Sequence, residues 1–278
     1  MSHFHTIGFS DPRLERDGVR HVTVKSAALK GRADISLYVP PTPVSGAEAV
    51  PVVILLHGVY GSHWSWTMQG GAHVTAQRLI ETKQIEPIIL AMPSDGMWGD
   101  GSGYMPHRDR NVEQWIVDEV LLAVLETTSL ASERSPLFIA GLSMGGFGAL
   151  RLGATYPERF AGISGHSSIT NLGDLEAFLE EDLLDQLSGN TRGSLSEVLL
   201  EAGSRLPPLR FDCGLDDALL ASNRDLSKSL EEARIDHIYQ EFPGNHEWSY
   251  WEAHLEDTLL FFQELLASDG QAAYRHKR

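Results

Sequence analysis

Residues 141–145 read Gly-Leu-Ser-Met-Gly, and this stretch decides the fold class. A serine with glycines two positions to either side is typical of a nucleophile elbow, a sharp strand-to-helix turn that exposes the serine hydroxyl above a sheet. The motif alone is weak evidence, because short patterns of glycine and serine recur by chance. Its neighbours strengthen it: the apolar run Leu137–Ala140 predicts a buried strand before Ser143, and residues from Met144 onward predict a helix after it.

Strand-like and helical patterns alternate along the rest of the chain. Val52–Leu56 and Ile88–Met92 are continuously apolar, as expected for parallel strands that are covered on both faces. His21–Val24 and Ile35–Tyr38 instead alternate in polarity, as in an antiparallel hairpin. The sequence therefore predicts an α/β fold with a mostly parallel, doubly wound sheet and an N-terminal antiparallel hairpin. Without an internal repeat or an interdomain linker, residues 1–278 are predicted to form a single domain.

Two segments fall outside this alternation. Residues 172–206 follow the strand-like run Arg159–Ser164 and mix acidic residues with leucines, which predicts short amphipathic helices. A solvated surface is the simpler interpretation of such a segment, but its position predicts a cap-like insertion over the site. Residues 268–278 end in His-Lys-Arg and are predicted to be disordered.

The composition excludes several classes of function. With 22 Lys plus Arg against 38 Asp plus Glu, the formal net charge is -16, so neither nucleic acid nor an anionic membrane is an expected partner. One cysteine, Cys213, excludes an internal disulfide, and the histidines show no zinc-protease spacing, so we expect no metal and no cofactor. A signal-peptide core and long apolar segments are missing, which predicts a cytoplasmic location. Whether the chain is a monomer or a homodimer stays open.

A catalytic serine needs partners, and the sequence offers them. A serine hydroxyl is a weak nucleophile, so acyl transfer requires a base, an orienting carboxylate and N–H donors for the oxyanion. Asp216 and Asp217 lie in a turn at the end of a strand-like run, and His246 lies in a loop before the last helix. The order serine, acid, histidine is the chain order of nucleophile-elbow enzymes. From the residues alone, either aspartate could be the orienting acid.

The oxyanion donors are expected from two places. In this architecture one N–H belongs to the residue after the nucleophile, Met144, and the other belongs to the loop after the third strand. His57-Gly58 open that loop, which makes Val59 the expected donor and Tyr60 the alternative. We interpret His57 itself as a residue that shapes the turn rather than as the base.

Aromatic residues near these motifs are candidates for the substrate pocket. Trp98 and Tyr104 belong to a glycine-rich loop after the run Ile88–Met92, at the carboxyl edge where α/β sheets bind ligands. Large aromatic side chains are costly to expose, so we expect them to line the acyl or alcohol pocket. Substrate contacts are predicted for Tyr60, Trp98, Tyr104 and Trp248.

Taken together, these motifs resemble the putative-esterase group of the α/β-hydrolase superfamily. That group contains esterase D or S-formylglutathione hydrolase, tributyrin-type esterases, feruloyl esterases and mycolyltransferases. The resemblance covers about His21 to Leu266 and is carried by Leu55–Gly58, Gly141–Leu150, Pro157–Phe160, Cys213–Asp217 and Gly244–Trp251.

The resemblance implies an α/β-hydrolase fold and a serine hydrolase acting on short or aryl carboxylic esters. It also implies roles: Ser143 as nucleophile, His246 as general base and Asp217 as the orienting acid. The loop after His57-Gly58 departs from the formylglutathione branch, because it lacks the cysteine associated with that branch. A glutathione thioester is therefore a less favoured substrate.

The sequence thus predicts a serine carboxylesterase that hydrolyses a small-molecule ester through an acyl-enzyme. Three alternatives remain: a thioesterase of the S-formylglutathione hydrolase type, a mycolyl-type acyltransferase, and a non-catalytic hydrolase-fold binding module. The binding module is the least favoured, since such modules usually lack a triad residue and this chain has all three.

Overall fold

The computed structural model describes residues 2–41, 49–96, 99–188 and 193–275. These residues form a nine-stranded sheet with the strand order β1-β2-β3-β5-β4-β6-β7-β8-β9. The strands are β1 (Ile7–Phe9), β2 (Val19–Ser26), β3 (Gly31–Tyr38), β4 (Val52–Leu56), β5 (Ile89–Pro93), β6 (Leu137–Leu142), β7 (Gly162–His166), β8 (Leu209–Gly214) and β9 (Ile238–Phe242).

The sheet changes direction once. Strands β1, β2, β3 and β5 are paired antiparallel, and every pairing from β5 through β4 to β9 is parallel. This confirms the predicted α/β fold with a mostly parallel sheet and an N-terminal hairpin. Strand β7 begins later than the predicted run Arg159–Ser164, because the Arg159 N–H donates to the Tyr156 carbonyl in a turn that ends the preceding helix.

Helices cover both faces of the sheet. Within the described residues they are α1 (Ser65–Met68), α2 (Ala72–Glu81), α3 (Val112–Gln114), α4 (Val120–Thr127), α5 (Met144–Thr155), α6 (Leu172–Glu176), α7 (Leu195–Ala202), α8 (Leu220–Glu232) and α9 (Trp248–Arg275). A π-helical turn, Trp115–Glu119, joins α3 to α4, and short 3₁₀ turns occupy Leu184–Gln186 and Gly203–Arg205.

The two-sided cover explains the continuously apolar central strands. In β4, Val52, Ile54 and Leu56 enter the core beneath α3 to α5, whereas Val53 and Leu55 enter the core beneath α2 and α9. Alternate side chains of a strand point to opposite faces, so a strand buried on both sides needs an apolar residue at every position.

The segment 172–206 joins β7 to β8 and divides into two parts. Its first half lies beside the loop after β5, where the Arg108 N–H donates to the Gln186 carbonyl and the Ser188 N–H donates to the Pro106 carbonyl. Its second half contains α7, which packs against α5 and α8 in the helical layer of the sheet. Helix α7 is therefore a regular element of the fold, and only the first half of the predicted insertion can serve as a cap.

The last helix is longer than expected. Helix α9 continues to Arg275 and so extends into the segment 268–278 that the sequence predicts to be disordered. Residues 276–278 lie outside the described residues. In the part of the chain that the structure describes, no helix is both long enough and apolar enough to cross a membrane.

Helix α5 approaches strand β4 so closely that its second residue must be glycine. A Cβ atom on Gly145 would lie 2.3 Å from the Leu56 carbonyl oxygen and 2.6 Å from the His57 carbonyl oxygen. Both are main-chain oxygens, one on the last residue of β4 and one on the residue that follows it, so neither can move aside without disturbing the end of the strand.

We therefore expect Gly145→Ala to lower the free energy of unfolding by about 1–3 kcal/mol, as overpacking of a close contact does. Gly8→Ala in β1 is the matched control, because a Cβ there would meet no atom within 4 Å. Urea unfolding of both variants measures the difference. Equal unfolding midpoints would contradict the close approach.

Candidate active site

Ser143 occupies the turn between β6 and α5 in an unusual backbone conformation. Its φ of 54° and ψ of -119° are rarely adopted by a residue with a side chain. Small neighbours make the turn possible, since a Cβ on Gly141 would lie 2.2 Å from the Gly145 carbonyl oxygen. The Ser143 N–H donates to the His166 carbonyl at 2.9 Å, which ties the turn to the end of β7.

A continuous chain of side-chain contacts leads away from the serine. His246 Nε2 lies 3.0 Å from Ser143 Oγ, and His246 Nδ1 lies 2.9 Å from Asp217 Oδ2. The second oxygen of Asp217 accepts the Leu219 N–H at 2.8 Å. The turn after β8 supplies Asp217, and the loop between β9 and α9 supplies His246. The structure thus brings together the three residues that the sequence singles out.

The neighbouring aspartate is placed differently. Asp216 is exposed, whereas Asp217 is only 6% exposed. The Asp216 N–H donates to the Gly244 carbonyl at 2.9 Å, and this bond holds the two loops that carry Asp217 and His246 side by side.

Asp217 is held in its ionised form. Burial acts to raise the pKa of this carboxyl group, but the hydrogen bond and the charge of His246, together with the Leu219 N–H, outweigh burial and lower the pKa below its ordinary value. An ionised Asp217 favours the imidazole tautomer with hydrogen on Nδ1, which leaves Nε2 free to accept a proton from Ser143.

Two main-chain N–H groups are candidates for the predicted oxyanion donors. Met144 is the first residue of α5, and its N–H therefore has no acceptor within the helix. Within the described part of the chain, the Val59 N–H has no acceptor, whereas the Tyr60 N–H donates to the Asp100 carbonyl at 2.9 Å. Because Tyr60 is engaged, Val59 is the better candidate. A Cβ on Gly58 would lie 3.4 Å from Ser143 Cβ, so this loop lies directly against the serine.

His57 and Tyr104 support that loop from below. His57 is buried, with Nδ1 2.7 Å from the Gly58 carbonyl oxygen and with its own carbonyl accepting the Tyr104 hydroxyl at 3.0 Å. This arrangement fits the interpretation of His57 as a structural residue. The prediction of Tyr104 as a substrate contact must be corrected, because its side chain is fully buried. A buried tyrosine hydroxyl needs a hydrogen-bond partner, and Tyr104 finds it in the main chain of the oxyanion loop.

The other predicted aromatic contacts have different outcomes. Trp98 lies outside the described residues. Trp248 is half-buried and packs edge-on against Trp66 and Trp251, with ring centroids 5.6 Å and 5.3 Å away. Trp251 in turn packs edge-on against His246 at 5.0 Å. Trp248 therefore helps to fix the wall beside the histidine through Trp251.

The first half of the 172–206 segment reaches the site through Phe178, an apolar side chain of the predicted cap-like insertion. The Phe178 ring stacks on the His246 ring with centroids 5.7 Å apart and an interplanar angle of 24°. The exposed Tyr60 donates its hydroxyl to the Phe178 carbonyl at 3.0 Å, and Asp100 Oδ2 accepts the N–H groups of Glu180 and Glu181. We call residues 178–181 the strap. The sequence gives one signal for the contact between Phe178 and His246, which is the presence of an aromatic residue within an acidic segment.

No group of three or more His, Cys, Asp or Glu side chains suited to hold a metal ion occurs among residues 2–41, 49–96, 99–188 and 193–275. The described residues that the candidate site brings together are Ser143, His246 and Asp217.

Comparison with known proteins now places the chain in a family. A model of the putative esterases matches residues 26–262. The chain belongs to the putative esterase family. It is 27% identical over 239 residues to an acetyl esterase of Caldicellulosiruptor saccharolyticus, and the match covers 79% of this chain and 85% of that protein. The chain is accordingly a serine ester hydrolase that acts on carboxylic esters.

Solved structures of esterases share the fold of the chain. A ferulic acid esterase superimposes with a TM-score of 0.75 at 21% identity, covering 95% of this chain and 99% of that chain. An S-formylglutathione hydrolase from Agrobacterium tumefaciens superimposes with a TM-score of 0.72 at 20% identity, covering 96% of this chain and 100% of that chain. At these identities the likeness establishes the α/β-hydrolase fold.

The two adjacent aspartates provide a direct test of the geometry. We expect Asp217→Asn to lower kcat for ester hydrolysis by about 10⁴-fold, because an amide lacks the charge that stabilises the protonated histidine. Asp216→Asn is the matched control and should change kcat by less than about twofold, as a surface substitution does. Steady-state kinetics with p-nitrophenyl acetate measures both. Equal losses, or a larger loss for Asp216→Asn, would reverse the assignment.

Proposed function

We propose that this chain is a carboxylesterase for short-chain carboxylic esters, with Ser143 as nucleophile, His246 as general base and Asp217 as orienting acid. The observation that carries the proposal is the unbroken path from Asp217 through His246 to Ser143 Oγ, with contacts of 2.9 Å and 3.0 Å. The 3.0 Å contact is short enough for proton transfer from Ser143 Oγ to His246 Nε2, and the 2.9 Å contact is a hydrogen bond through which Asp217 orients the imidazole.

The first half of the reaction acylates the serine. His246 Nε2 takes the proton of Ser143 as the serine oxygen attacks the ester carbonyl, and the charge of Asp217 stabilises the imidazolium that forms. The carbonyl oxygen becomes an oxyanion, which the N–H groups of Val59 and Met144 stabilise by hydrogen bonds. His246 then gives its proton to the departing alcohol, and an acyl-enzyme remains.

The second half repeats these steps with water. His246 takes a proton from the water molecule that attacks the acyl-enzyme, and the same two N–H groups stabilise the second oxyanion. Return of the proton from His246 to Ser143 releases the carboxylic acid. The enzyme is then back in its starting state, and one ester and one water molecule have become an alcohol and a carboxylic acid.

The strap supports a preference for small acyl groups. Phe178 covers one side of His246, and its main-chain carbonyl accepts the Tyr60 hydroxyl from the loop after β4. Space near the catalytic histidine is therefore bounded by aromatic side chains that a long acyl chain would have to displace. The acetyl esterase among the relatives is named for a two-carbon acyl group, which agrees with this preference.

Replacement of the nucleophile tests the proposal. We expect Ser143→Ala to lower kcat/KM on p-nitrophenyl acetate by about 10⁴-fold or more, because a triad acts as a unit. A fluorophosphonate should add one covalent adduct to the wild-type chain, on the peptide that contains Ser143, and none to the variant. Ser229→Ala on helix α8 is the control and should retain activity and labelling. Retention of more than about a tenth of the activity by Ser143→Ala would refute the mechanism.

Acyl-chain preference tests the role of the strap. On p-nitrophenyl esters the wild-type rate should peak at about two to four acyl carbons, since each buried CH₂ gains only about 0.8 kcal/mol before steric overlap outweighs it. Phe178→Ala should move the peak toward longer chains.

The control for this experiment is Phe9→Ala, which truncates an exposed phenylalanine on β1, far along the sheet from the site. It should leave the preference unchanged. A wild-type optimum of about twelve carbons or more, or an unchanged optimum in Phe178→Ala, would contradict the small pocket and favour a lipase-like or mycolyl-type activity.

A further inference from the structure

A second polar cluster lies beneath the candidate active site and takes no part in the mechanism described above. Each of its side chains is at most 3% exposed. Burying ionised groups is costly unless they are paired and fully hydrogen-bonded, so such a cluster is rarely kept in a core without a role. Its members are Ser164, His166, Arg210, Asp212, Tyr250 and Thr258.

Asp212 is the centre of this cluster. Its Oδ2 lies 2.6 Å from Arg210 Nη1 and 2.9 Å from His166 Nδ1, and its Oδ1 accepts the Tyr250 hydroxyl at 2.9 Å. Burial acts to raise the pKa of Asp212, but His166, Arg210 and Tyr250 outweigh burial and lower it. An ionised carboxylate within β8 thus joins β8 to β7 and to α9.

Through His166 the cluster reaches the nucleophile. The His166 imidazole has a contact on each side: Asp212 Oδ2 lies 2.9 Å from Nδ1, and Thr258 Oγ1 lies 3.0 Å from Nε2. The main-chain carbonyl of His166 accepts the Ser143 N–H at 2.9 Å. A shift of the imidazole would move this carbonyl and, with it, the serine whose positive φ depends on a fixed hydrogen-bond partner.

Through Tyr250 the cluster reaches the histidine. The Tyr250 ring packs on the main chain of Gly244, where a Cβ would lie 2.7 Å from the ring. Gly244 has a φ of 140° and lies in the loop that carries His246, and its carbonyl accepts the Asp216 N–H from the turn that carries Asp217. Tyr250 therefore holds the loop of the base against the turn of the orienting acid.

We propose that Asp212 is a positioning residue of the esterase: by holding His166 and Tyr250 it sets the distance between Ser143 Oγ and His246 Nε2. The inference rests on the catalytic roles proposed for Ser143, His246 and Asp217. Asp212 touches neither substrate nor reacting atoms, so its effect appears in the rate of proton transfer, which is sensitive to small displacements of the two groups.

The test removes one arm of the cluster and keeps the packing. Tyr250→Phe deletes the hydroxyl that donates to Asp212 but retains the ring against Gly244. Tyr156→Phe is the matched control, because the Tyr156 hydroxyl donates to a different buried carboxylate, Glu113, in the helical layer. A fluorophosphonate titrates the reactive serine in each full-length variant. The values of kcat and KM for p-nitrophenyl acetate are then expressed per titrated site, with Tm measured in parallel.

We expect Tyr250→Phe to lower kcat by about tenfold with KM within about twofold, because the displaced groups weaken the transition state rather than substrate binding. Tyr156→Phe should lower Tm but leave kcat unchanged. Wild-type kcat per titrated site in Tyr250→Phe would show that the cluster only stabilises the fold and would overturn the proposal.

The test also covers an insoluble variant and a wild-type protein that does not react with the probe. If Tyr250→Phe does not yield soluble protein, Thr258→Val removes the hydroxyl on the other side of His166 and is measured in the same way, with the same two interpretations. Failure of the fluorophosphonate to titrate the wild-type protein would overturn the proposed function itself, and with it this inference. A titrated wild type with unchanged variants overturns the positioning role alone.

Discussion

The left-handed backbone of Ser143 is the constraint on which the rest of the structure depends. A residue with a side chain adopts this conformation only when its surroundings enforce it. Here the enforcement comes from glycines that let α5 touch β4, and from the His166 carbonyl that accepts the serine N–H. The close packing of α5 on β4 and the strained turn at Ser143 therefore depend on the same few residues.

The parallel sheet explains why residues from distant parts of the chain meet at this serine. Strands β4, β6, β8 and β9 run in the same direction, so the loops that follow them open at one edge. The loop after β4 carries Val59, the turn after β6 carries Ser143 and Met144, the turn after β8 carries Asp217, and the loop after β9 carries His246. Strand β7 lies between β6 and β8 and carries the His166 that links them.

Structural features that depend on neighbouring residues could be predicted from the sequence, and contacts set by tertiary packing could not. The elbow motif around Ser143 and the continuously apolar strands depend on neighbouring residues, and they predicted the fold class and the strand-to-helix turn that holds Ser143. The burial of Tyr104 beneath the oxyanion loop and the stacking of Phe178 on His246 depend on how separate loops pack. The same limit applies to α7, whose amphipathic pattern cannot distinguish a helix over the site from a helix in the layer beside the sheet.

The strap is attached to the site through its own main chain. The Tyr60 hydroxyl donates to the Phe178 carbonyl, and Asp100 Oδ2 accepts the N–H groups of Glu180 and Glu181. The strap contributes only main-chain groups to these bonds, and every amino acid except proline supplies both of them. A mutation of the Phe178 side chain thus alters the wall beside the histidine while the anchor points persist. The shape of this wall can therefore change by a single replacement, without a compensating change in the loops that hold the strap in place.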